Sequence, residues 1–194
     1  MRVNFVPLVQ RRTEKQYSKV LTKAGRIVSR KNTPRSKIDS LLKKLKQNLS
    51  DLEKDEVREK LKREISTELE AGGIPAGMID KTTMVFVSLL IRGVELGSAE
   101  PSESIILYLK CGSAWSLVGL KDMVLSGLLA RLLSDDIEEF IQSRPGIQLV
   151  VKAEDYNLCL SYLGSVVGKS VSRVLFARFL SLVNKLECSL NKMF

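Results

Sequence analysis

Residues 13–71 read as helix in two runs, and the break after them, Gly72-Gly73-Ile74-Pro75, divides the chain into a helical third and a mixed remainder. In the first run a capping box, Thr13-Glu-Lys-Gln16, precedes Tyr17, Val20, Leu21, Ala24, Ile27 and Val28. At about 100° per residue these apolar side chains fall within an arc of roughly 120°. Lys15, Lys19, Lys23, Arg26 and Arg30 fall on the opposite side, within roughly 80° of one another. The second run carries Ile38, Leu41, Leu42, Leu45, Leu49, Leu52, Val57, Leu61, Ile65 and Leu69 at helical spacing. Pairs such as Glu56–Lys60 and Glu59–Arg63 support a solvated face at i+4. The apolar spacing drifts from a strict heptad, which predicts a long packed helix or a helical hairpin turning near Ser50-Asp51.

Charge follows the same division. Residues 1–46 hold 14 Lys/Arg against two acids, Glu14 and Asp39, a net +12, whereas residues 47–194 come to −3. Basicity therefore belongs to the N-terminal arm, the layout of a chain that docks a polyanion, either nucleic acid or an anionic membrane face. Arg11 and Arg12 precede the basic stripe, and Lys31 and Arg35 follow it. The apolar side of the stripe has no Trp or Phe to sink into lipid headgroups, which favours nucleic acid. With Tyr17 its only interleaved aromatic, the arm should bind phosphates without sequence preference.

The chain has no histidine, which removes the commonest general base and metal ligand. Cys111, Cys159 and Cys188 form no CxxC pair, so neither a disulfide framework nor a zinc knuckle is expected, and the thiols should be reduced. We expect no enzyme, no cofactor and no metal. The opening MRVNFVPLVQRR is too short and interrupted in its apolar stretch for a signal peptide, and no apolar run approaches the ~18 residues of a membrane span.

Beyond Pro75 the pattern predicts a buried strand over Thr82–Ile91, a loop from Arg92-Gly93 to Pro101, and strands over Ser104–Lys110 and Ile147–Lys152. Trp115–Ile141 reads as helix through Leu120, Val124, Leu128, Leu132, Ile137 and Phe140. Tyr156–Val167 and Val171–Leu186 fit helix or buried strand. Gly164-Ser-Val-Val-Gly168-Lys169-Ser170 has three residues between its glycines where a phosphate loop needs four, and reads as a turn. Asp135-Asp136-Ile-Glu138-Glu139 reads as a solvated acidic helix face.

One resemblance follows from the order of these stretches. Met84-Val-Phe-Val-Ser-Leu-Leu-Ile91 with Arg92-Gly93, then Ser104-Ile-Ile-Leu-Tyr-Leu109, resembles the opening strand pair of the thirty-kilodalton superfamily of plant-virus movement proteins. Met123-Val-Leu-Ser-Gly127, Phe140 to Pro145-Gly-Ile-Gln-Leu149, Asp155-Tyr-Asn-Leu158 and the aliphatic stretch Ser170–Leu190 are similar to later features of that family. The resemblance spans 78–192; where the family carries a signature aspartate, this chain has Lys110-Cys111. It implies a jelly-roll-like core, cooperative binding of single-stranded nucleic acid, and transport through plasmodesmata.

The expected fold is therefore α+β: a basic amphipathic arm over 1–35, a long helical segment over 36–73, and a β-containing core over 74–194, jelly-roll-like if the resemblance holds. The expected function is that of a viral movement-type protein carrying single-stranded RNA between cells, in the host cytoplasm and at cell junctions. Arg11, Arg12, Lys15, Lys19, Lys23, Arg26, Arg30, Lys31 and Arg35 would contact RNA. The alternative is a viral matrix or nucleocapsid protein that applies the same arm to RNA or membrane. In either case 36–71 is the segment expected to self-associate or to meet a partner helix.

Overall fold

A computed structural model describes residues 2–7, 11–29, 33–101, 105–141, 147–151 and 153–167. The elements run β1 (Arg2–Pro7), α1 (Arg11–Val28), α2 (Thr33–Leu45), α3 (Asp51–Ala71), α4 (Ala76–Ile91), β2 (Val94–Pro101), β3 (Ile105–Cys111), α5 (Ala114–Leu125), α6 (Leu128–Ile141), β4 (Ile147–Val151) and α7 (Ala153–Val167). The α+β class stands.

The sheet is antiparallel throughout, ordered β2-β3-β1-β4. β1, at the start of the basic arm, lies inside it, with Val3 opposite Leu107 of β3 and Val151 of β4. β2 was expected to be loop. It alternates Val94 and Leu96 inward, and then a bulge at Gly97 shifts the phase, so that the next inward residue is Ala99. That extra residue breaks the period of two on which strand recognition depends.

The larger correction is at 82–91, where a helix replaces the expected strand. Met78, Thr82, Val85, Phe86, Leu89 and Leu90 form a buried stripe on α4, and Thr83 and Val87 are buried beside it. A helix apolar on most sides is one that neighbours cover nearly all round. Here α1, α2, α3, α6 and β2 all contact it. Among the described residues there is one four-stranded sheet with helices packed on it, and no second sheet of a jelly roll. The family resemblance begins on Met84–Ile91, which is helical here.

Of the two arrangements expected there, a long helix or a hairpin near Ser50-Asp51, the chain takes the second, with α2 and α3 packed on each other. Ser50 caps α3: its hydroxyl accepts from the Glu53 N–H, and the Glu53 carboxylate accepts from the Ser50 backbone N–H at 2.9 Å. Trp115–Ile141 divides into α5 and α6 at Gly127, whose φ of +70° is the left-handed conformation that closes a helix without a Cβ clash. Tyr156–Val167 falls within α7; Val171–Leu186 lies outside the described residues.

One apolar cluster joins Tyr17, Leu21 and Ala24 of α1, Ile38 of α2, Leu61, Ile65 and Leu69 of α3, the inner face of α4, and Leu96 and Leu107 of the sheet. The segments 1–35, 36–73 and 74–194 thus share a core. A smaller cluster, Leu117 with Tyr156 and Leu160, joins α5 to α7. Of the apolar stripe expected to meet a partner helix, Ile38, Leu61, Ile65 and Leu69 lie in the chain's own core, while Leu52 is 74% exposed.

Candidate functional site

α1 lies against the β2 edge of the sheet. Two contacts fix the spacing. A Cβ on Gly25 would stand 2.8 Å from the Leu96 carbonyl oxygen, so glycine is what lets the helix approach the strand so closely. One turn earlier, the Thr22 hydroxyl donates to the Ala99 carbonyl and accepts from the Ala99 N–H, both at 2.9 Å. Ala99 is paired with Leu107 of β3 on its other side. The hydroxyl therefore satisfies backbone groups that an edge strand would otherwise present to another chain.

The inner face of α1 is tied down by a buried polar cluster. Tyr17 Oη donates to Asp136 Oδ2 at 2.6 Å, and Thr82 Oγ1 donates to Asp136 Oδ1 at 2.7 Å. All three residues are fully buried, and they join α1, α4 and α6. Burial pushes the Asp136 carboxyl up from an ordinary 3.8 to about 6, against the pull of its hydrogen bonds from Tyr17 and Thr82; Glu139 adds a smaller upward push. Burial and the adjacent carboxylate hold the Tyr17 phenol well above its usual range. One expectation changes here: Asp136 is not part of a solvated acidic face. Tyr17 is buried, on the apolar face where the spacing places it.

The outer face of α1 presents Lys15, Lys19, Lys23 and Arg26, all exposed. Together with Ser18, Thr22, Gly72 and Ala99 they line an open groove of about 560 Å³ running between α1, the end of α3 and the edge of β2. Lys23 Nζ donates to the Gly73 carbonyl at 2.9 Å, which seats one cation of the row. Among the described residues none of the four forms an ion pair. On α2 and α3 four cations sit on carboxylates, Lys37 on Glu64, Lys54 on Asp51, Arg58 on Asp55 and Lys62 on Glu59, at 2.6–3.7 Å, while among the described residues Lys43, Lys44, Lys60 and Arg63 do not. What sets α1 apart is that these four cations share one groove in whose lining, among the described residues, no acid stands, so the positive field is concentrated there.

Of the nine expected contact residues, the groove gathers these four. Arg11 and Arg12 open α1, and Arg35 lies in the first turn of α2, on a different helix. Arg30 and Lys31 lie outside the described residues, as do Gly168, Lys169 and Ser170. The sequence reading missed Ser18 and Thr22, the short hydroxyl side chains of the same groove. Their spacing of four from each other and from Arg26 was the available signal.

Cys111 and Cys159 are unbridged, and burial pushes the Cys111 thiol up to about 11. Among the described residues no three Cys, Asp or Glu side chains converge as a metal site, and no helix is long and apolar enough to cross a membrane. No protein-family model, curated protein or solved structure matches the chain.

Proposed function

We propose that the chain binds single-stranded RNA without sequence preference, along the α1 groove and by phosphate contact. The observation that carries this reading is the row of four exposed cations with no carboxylate partner among the described residues. A strand of phosphates supplies the missing counter-charges and releases condensed counterions as it does so. The apolar face of α1 argues against a membrane surface as the principal partner. Tyr17, Leu21, Ala24 and Val28 are at most 2% exposed, so the helix has no free apolar side to insert into headgroups. Among the described residues the groove holds no aromatic side chain, which accords with backbone contact and not base readout. Transport of the bound RNA between cells is the part of the proposal that rests on the resemblance to movement proteins.

The test is binding of a labelled single-stranded RNA of about 20 nucleotides across a salt series, for the full chain and for a variant with Lys15, Lys19, Lys23 and Arg26 all changed to Gln. Four neutralised phosphates give a log–log salt slope of about −3, and the variant should lose at least about tenfold in affinity at low salt. A slope near zero, or a variant that binds as tightly as the parent, would overturn the mechanism. RNA bound in a defined high-order particle would turn the reading from transport to packaging.

A further inference from the structure

Lys15, Lys19, Lys23 and Arg26 reach the α1 groove from one continuous helix. At a rise of about 1.5 Å per residue they stand about 6, 6 and 4.5 Å apart along its axis, a row of roughly 16 Å. At about 100° per residue they stay within roughly 80° of one another, so the row runs nearly straight along the groove. All four cations come from the same wall. Outside α1 the described lining is Gly72, at the end of α3, and Ala99 on the β2 edge, which bring no charge and nothing larger than a methyl. Position 72 has no room even for that, because a Cβ there would collide with Ile27 Cδ1 of α1.

Spacing and one-sidedness together restrict the form of the ligand. A strand within a stacked duplex advances only about 3.4 Å per phosphate along its axis, and it winds away from any straight line. Laid on this row, it falls out of register within about two contacts. An unstacked strand separates successive phosphates to roughly twice that distance, close to the step of the cations, and can lie straight. Lys23 gives the row a fixed member, since its Nζ donates to the Gly73 carbonyl at 2.9 Å. A cation already held in place loses less freedom when a phosphate reaches it.

We infer that the α1 groove holds an extended, unstacked strand with one phosphate on each of its four cations, in the order Lys15, Lys19, Lys23, Arg26. This register rests on the RNA-binding reading and adds to it a footprint, a strand conformation and a bias against duplex. End and middle cations then do different things. Lys15 and Arg26 set the length of strand covered, whereas Lys19 and Lys23 hold phosphates within it.

The experiment is binding of oligouridylates of increasing length, from about two to seven phosphates, to the full chain, each across a salt series. The log–log salt slope should deepen by about 0.7 per phosphate, reach about −3 at roughly four phosphates and stay there. Lys15→Gln removes the end of the row, so its slope should level off at about −2, already at roughly three phosphates. Lys19→Gln leaves a gap inside the row, so its slope should level off at the same value of about −2 but only at roughly four. Both side chains are exposed, and neither substitution touches the core. An RNA duplex of about 20 base pairs should bind at least about tenfold more weakly than either of its strands at the same salt. A slope that goes on deepening past four phosphates would overturn the register and leave RNA binding intact. So would the same levelling-off length in the two variants, or a duplex bound as tightly as its strands. No binding at any length would remove the RNA reading, and the register with it.

Discussion

Among the described residues, Asp136 is the carboxylate whose environment raises its pKa most. Its carboxyl titrates near 6 in the native state against an ordinary 3.8, because burial penalises the charge more than Tyr17 and Thr82 stabilise it. The native state therefore holds this proton more tightly than the unfolded chain does. Its contribution to stability is greatest below about pH 4 and is lost as pH rises through about 6, roughly 3 kcal/mol across that window. At neutral pH the group is ionised and accepts both hydroxyl protons. Urea unfolding of the parent and of Asp136→Asn should show the difference between them moving in the parent's favour by about that amount from pH 7 to pH 4, and staying level above pH 7. A difference that does not change between pH 4 and 7 would mean that water reaches the carboxylate. One buried charge thus stands beneath a helix whose other face carries four cations.

At the scale of elements, the contact between α1 and β2 positions the candidate site, and Thr22 is its most testable member. Thr22→Val keeps the shape and removes both bonds to the Ala99 backbone, at an expected cost of about 1–3 kcal/mol by denaturant unfolding. Thr22→Ser should retain most of the stability, and equal losses in the two variants would assign the effect to packing. The helical half of this contact was legible in the sequence. The apolar spacing of Tyr17, Leu21, Ala24 and Val28 gives the buried face of α1, and the opposed lysines give the groove's rim. The strand half was not legible, because the bulge at Gly97 moves Ala99 out of phase with Val94 and Leu96. α4 was misread for a different reason: Thr82, Thr83, Val85, Val87 and Ile91 are β-branched, and a helix covered on most sides carries no polar stripe to reveal its period. Asp136 was misread because a carboxylate's neighbours decide its burial, and Tyr17 stands 119 positions away in the chain.

At the scale of the whole molecule, the basic N-terminal segment is part of the core. Its charge is peripheral, but β1 is an inner strand of the sheet and α1 contributes Tyr17, Leu21, Ala24 and Val28 to the main cluster. Removal of residues 1–35 should therefore abolish cooperative thermal unfolding, as followed by circular dichroism. A sharp transition retained by 36–194 would show that the remainder carries a core of its own. For the same reason substitution, not truncation, is the clean way to test the groove. The sheet order also bears on how the chain comes off the ribosome. β1 is translated before either of its partners, and the first of them, β3, begins about a hundred residues later. At roughly 5–20 residues per second the strand waits on the order of 5–20 s for its first neighbour and longer for β4. During synthesis the sheet cannot grow outward from its first strand; it must close around it late, with that strand held unpaired in the meantime.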